Sequence, residues 1–296
     1  MFGLAILFFL NCFWDLSLLS HEIHKACLNH LNFESALPEV YKALTCGKKL
    51  PHGEMKQLFV KGGLIHLTVV SGAHLIFLER LWLKLPLPKK AKKQSLSIFL
   101  ILYALASQLN PPVLRALFSF FLSQLSQKQK LFWSPAGIIL LSALLCLLYN
   151  KNWLDSASLQ LSVLASLLYC SSKSSLKKSF FIYLFTLPLL NRWQNLHPLT
   201  VLINWVLAPI ISGLLFPMSF ISPFVPFLYK INDFLWLTFL KLLEGVKLLS
   251  SNNSLIKYQL PENWTWFYIL LIFLALSIFK KLNQRFKQSF CGKPHV

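Results

Sequence analysis

Long apolar runs broken by short polar clusters organise this chain. They lie at about 1–19, 62–83, 95–109, 112–125, 133–149, 154–170, 180–190, 199–221, 224–249 and 264–279, bounded by Lys, Pro, Asn or Ser. A helix rises ~1.5 Å per residue and needs roughly 20 apolar residues to cross bilayer hydrocarbon, so these runs are read as spans. A helix in lipid satisfies its own backbone hydrogen bonds; a barrel would need alternating residues, and Ile138–Leu148 does not alternate. The pattern predicts an all-α, polytopic helical membrane protein of about ten spans.

Two runs fit less well. The 180–190 run is too short to cross alone, and Lys241, Glu244 and Lys247 recur at helical spacing. That spacing lets the end of the 224–249 run lie along the membrane interface as an amphipathic helix.

Charge supplies the orientation. Lys84, Lys89, Lys90, Lys92 and Lys93, then Lys128 and Lys130, then Lys173, Lys177 and Lys178, and finally the tail all fall on one side of the alternating runs. The positive-inside rule makes that side cytoplasmic, with both termini inside. The resulting division is an N-terminal span (1–20), a short extracytoplasmic segment (21–60), a membrane domain (61–280) and a basic cytoplasmic tail (281–296). The first run has no basic residues before it and no small-residue cleavage site, so it reads as a retained span.

Composition agrees. Hydrophobic residues make up 55% of 296 positions, with 26 Phe and 13% charged residues, which excludes an ordinary soluble domain. The net charge of +19 suits a nucleic-acid conduit, and equally the Lys-rich loops of any multi-span protein. Of the six cysteines, only Cys27 and Cys46 share the extracytoplasmic segment. They can form one disulfide or remain two thiols. His21, His24, His30 and His52 lack the spacing of a zinc helix, so no metal or other cofactor is expected.

The stretch Lys61–Arg80 is apolar enough to cross, yet carries His66, Ser71, Gly72 and His74. Polar groups at membrane depth cost free energy and usually face a protein interior or a water-filled path. On an unbroken helix His66 and His74 would differ by roughly 80° and lie about 12 Å apart along the axis, too far for one metal ion. Gly72 allows the backbone to unwind there, so a break near Ser71-Gly72 is expected. The alternative is that these groups only hydrogen-bond neighbouring helices. Arg115, one turn past Asn110-Pro111-Pro112, either reaches the interface or lines a polar interior.

These residues resemble a known family. His66-Leu-Thr-Val-Val-Ser71-Gly72-Ala-His74 is similar to the H-L-x-x-[IV]-S-G-x-H signature of the ComEC family of competence proteins. Further resemblances follow in order: Ala43-Leu-Thr-Cys-Gly47 and Phe59-Val-Lys-Gly-Gly63, Pro111-Pro-Val-Leu-Arg115-Ala116, Ser158-Leu-Gln160-Leu-Ser162, Thr186-Leu-Pro188, and Pro198-Leu-Thr-Val-Leu-Ile-Asn204 through Pro209. The family's OB-like and metallo-β-lactamase-like domains have no counterpart in this sequence, so hydrolase chemistry is not carried over.

The resemblance implies an inner-membrane channel that admits single-stranded DNA during natural transformation, not an enzyme. It implies that His66, Ser71, Gly72, His74, Arg115, Gln160 and Asn204 line or brace the DNA path. Implied partners are single-stranded DNA, the lipid bilayer, and a separate DNA receptor, nuclease and cytoplasmic helicase-type motor. Two other classes compete: a small-solute or lipid transporter sharing the fold, and an intramembrane serine hydrolase. The hydrolase would need G-x-S-G, where this chain has Val69-Val70-Ser71-Gly72.

Overall fold

A computed structural model describes residues 2–31, 35–62, 64–65, 72–171, 175–190, 199–225, 227–250 and 264–290. Among them there is no strand, as the apolar pattern requires. The helices are α1 (Phe2–His30), α2 (Pro38–Cys46), α3 (Glu54–Lys61), α4 (Gly72–Leu83), α5 (Lys89–Ala106), α6 (Pro111–Lys128) and α7 (Pro135–Tyr149), then α8 (Ala157–Ser171), α9 (Ser175–Leu190), α10 (Leu199–Ile210), α11 (Phe216–Ile221), α12 (Phe227–Ser250) and α13 (Thr265–Phe290). A π-helical turn, Ile211–Leu215, joins α10 to α11 without a gap.

Local chemistry sets the turns. Pro111 and Pro112 open α6 rather than break a helix, because the first N–H groups of a helix lack intrahelical partners anyway. Ser134 caps α7 by accepting from the Gly137 N–H, with Pro135 behind it. Between α4 and α5 the chain reverses at Lys84–Pro88, where the Trp82 indole donates to Ser95 Oγ and Lys92 Nζ donates to Leu83 O.

Helix pairs α1–α5, α4–α5, α4–α6, α6–α7, α7–α8, α8–α9 and α8–α13 pack side by side. One continuous apolar core runs through them, including Leu100, Val113, Ile139, Leu164 and Phe216. Large apolar side chains on the opposite faces are exposed, such as Leu148 at 74% and Phe234 at 68%. Among the described residues, one stretch is by itself long and apolar enough to cross a membrane: Trp205–Phe224, 20 residues of mean hydropathy 1.8.

The segment 21–60 is largely helical and packs on the bundle. The first helix continues through it to His30, and α2 and α3 bury Val40, Tyr41, Leu44, Leu58 and Phe59 against the bundle. Ser20 Oγ donates to Leu105 O and the His24 ring to Ala106 O, fixing α1 to the end of α5. Cys27 and Cys46 are joined as a disulfide that ties α1 to α2.

The last part of the chain closes over this layer. Asp233 of α12 accepts from Ser35 Oγ, the Ala36 N–H and Tyr41 Oη. Burial and that carboxylate hold the Tyr41 hydroxyl above the ordinary phenol range. Phe59 of α3 meets Trp236 edge-on, and the His30 and Phe224 rings lie 5.9 Å apart. The α11–α12 corner thus sits beside the 21–60 segment. Strict alternation of the apolar runs would put the two on opposite faces of the membrane.

Candidate functional site

Arg115 is the best-buried cation in the described bundle. It is 5% exposed, one turn into α6. Its Nε donates to Ser162 Oγ of α8 at 2.9 Å, and Nη1 donates to Ser119 Oγ at 3.4 Å. Ser119 Oγ then donates to Ser142 Oγ of α7, which donates to Ile139 O. One guanidinium therefore organises hydroxyls from three helices. Among the described residues the ion pairs are Glu39–Lys42 and Glu39–Lys48, and neither reaches Arg115.

Gly72 permits this arrangement. A Cβ there would stand 3.2 Å from Arg115 Nη2 and 3.2 Å from Ala116 Cβ, tighter than nearly all real contacts. The missing side chain is what lets α4 close on α6 over the guanidinium. Two residues on, His74 is 4% exposed and stacks on Phe216 at 4.0 Å between ring centroids.

Phe216 stands where its helix is irregular. Pro217 has no N–H to donate and its ring crowds the carbonyl four residues back. The chain widens into the π turn, and the Phe216 N–H bonds to Ile211 O, five residues earlier. Gly213 within that turn has no heavy atom within 4 Å of its would-be Cβ. Single π turns inside α-helices are frequent at functional sites. Ser219 and Ser222, one and two turns further on, take the Asn232 amide at 3.2 and 3.5 Å, and Ser219 also takes the Trp236 indole at 2.9 Å.

The expected site residues thus separate. Gly72, His74 and Arg115 come together where α4 meets α6 and α11. Gln160 is fully buried but turned to its own loop: Nε2 donates to Leu154 O at 2.8 Å, the carbonyl that also receives the Trp266 indole of α13. Its Oε1 is without a partner among the described residues. Asn204 belongs to α10, with its side chain outside the described set, and His66 and Ser71 lie outside the described residues. The break expected near Ser71-Gly72 falls there too; the irregular helix that is described is at 211–217, where Phe216 stacks on His74. Of the histidines in the 21–60 segment, His24 binds Ala106 O and the His52 ring meets Lys56 Nζ at 3.4 Å.

Sequence reasoning missed Ser119, Ser142 and Phe216. Ser119 is one helical turn from Arg115, a spacing that could have flagged it. Pro209, Gly213 and Pro217 in one apolar run were the available sign of an irregular helix.

A family model described as competence protein matches residues 44–282. No curated protein and no solved structure matches the chain.

Proposed function

The chain belongs to the competence protein family, whose role is DNA uptake for transformation, and from this premise we propose that its helix bundle conducts single-stranded DNA across the bacterial cell membrane. The observation that carries the reading is Arg115. A guanidinium held away from water by serines, with no carboxylate beside it among the described residues, is poised for an external anion. Phosphodiester groups are such anions, and Arg pairs with them through parallel N–H donors. Passing phosphates would offset the cost of the buried cation, and the cation would offset the cost of taking phosphates out of water.

In this reading Gly72 and His74 shape the wall above the guanidinium, and Gln160 braces the turn before α8. The protein is a multi-pass one built on about ten apolar runs, with α12 lying beside α2 and α3 instead of crossing. A small-solute or lipid carrier would leave a deletion strain competent for DNA.

The test is DNA uptake in a deletion strain carrying Arg115→Ala, Arg115→Lys or the unaltered gene at equal membrane levels. Arg115→Ala is expected to reduce transformation by about 100-fold or more, the effect of losing a buried charge-assisted contact of a few kcal/mol. Arg115→Lys should recover little, since an ammonium cannot engage Ser162 and Ser119 while presenting a planar face. Normal transformation by the deletion strain would sink the proposal.

A further inference from the structure

An aromatic ladder begins at the buried site and runs to the basic turn. His74 stacks on Phe216; Phe216 meets Phe77 at 5.6 Å and Phe220 at 6.2 Å; Phe220 meets Phe99 at 6.3 Å; and Phe99 stacks on Trp82 at 4.4 Å with 18° between planes. From His74 to Trp82 the ladder follows α4 for about 12 Å. Phe77, Trp82, Phe99 and Phe220 are only partly buried, so each keeps ring surface outside the core.

Both ends of the ladder are cationic. Gly72, two residues from His74, lies so near the Arg115 guanidinium that an added Cβ would stand 3.2 Å from Nη2, and Trp82 is two residues from Lys84, with exposed Lys90 and Lys93 across the α4–α5 turn. An apolar strip meant only for lipid needs no such ends. A strip of ring faces between two basic groups matches a chain that alternates anionic phosphates with flat bases. Proteins that hold single strands without sequence preference use the same combination, because every base has a π-face.

We propose that Phe77, Trp82, Phe99 and Phe220 form a stacking track for the bases of the incoming strand, leading from Arg115 to the lysine turn. This rests on the DNA-uptake reading and adds the route along the α4–α5–α11 face. Stacking on rings accepts any base, so the track passes DNA of any sequence.

Two experiments test it. Phe99→Leu with Phe220→Leu keeps apolar bulk but removes the rings, whereas Phe99→Tyr with Phe220→Tyr keeps them. The Leu pair is expected to lower uptake about tenfold or more at equal membrane level, and the Tyr pair to stay within about threefold of wild type, as loss or retention of base stacking requires. Wild-type uptake by the Leu pair, or equal loss in both pairs, overturns the track. Independently, full-length protein in lipid nanodiscs is irradiated with a single strand containing 5-iodouracil. Cross-links at Trp82, Phe99 or Phe220 support the track; cross-links only on other helices, or none, overturn it. The wider reading fails separately, through a deletion strain that transforms normally.

Discussion

At Gly47 the absence of a single Cβ joins two parts of the molecule. It ends α2 with φ at +74°, where only glycine is comfortable, and its carbonyl lies against the Asn110 side chain. An added Cβ would come within 2.9 Å of Asn110 Nδ2 and 3.2 Å of the Ser107 Cα. Gly47→Ala should therefore cost about 1–3 kcal/mol, from backbone strain and overpacking together. Thermal unfolding of the detergent-solubilised protein would show a fall of several degrees. Gly53→Ala, at a position with open space around it, is the control and should leave the midpoint unchanged. At this scale the sequence was partly legible. Arg115, Gly72 and His74 stood out because charge, polarity and missing bulk are costly inside an apolar run. Ser119 and Ser142 did not, because a serine in a membrane helix can satisfy its hydroxyl on its own backbone, as Ser166 does on Ser162 O.

Among elements, apolar periodicity located the helices well where each one pairs with its sequence neighbour. The runs at 112–125, 133–149 and 154–170 correspond to α6, α7 and α8, whose ends are set by prolines, Ser134 and Asn150. Periodicity is silent where packing is between distant segments. Asp233, Trp236 and Phe224 of the late chain meet Ser35, Phe59 and His30 of the early chain, and no local pattern announces those contacts. They carry a consequence for topology. A cysteine placed at Phe224, 69% exposed, should react with a membrane-impermeant maleimide added to intact spheroplasts, as should one at His52. Protection of Phe224→Cys until the membrane is permeabilised would restore strict alternation and put the α11–α12 corner in the cytoplasm.

For the whole molecule, two groups of helices share the one apolar core. One is the α4–α8 bundle around Arg115, closed by Gly72 and by serines. The other is a cap of α2, α3 and α12, in which Asp233 of α12 holds Ser35 and Ala36 before α2 and Tyr41 within it, and the Cys27–Cys46 disulfide fastens α2 to α1. The two cysteines were legible as the pair sharing one segment, but the cap itself was not, since its apolar residues are spread over three short helices. A cross-link over 19 residues should stabilise by about 3 kcal/mol through the unfolded chain, with the effect falling on the part it closes. Reduction, or Cys27→Ser with Cys46→Ser, is therefore expected to speed amide exchange in 35–62 and along the α12 face that packs on it. Exchange in α6–α8 should stay as slow as in the oxidised protein, because the Arg115–Ser162 and Ser119–Ser142 bonds do not pass through the cap. Equal acceleration in both parts would mean that cap and bundle unfold as one unit, and that the hydrogen bonds of Arg115 depend on the disulfide.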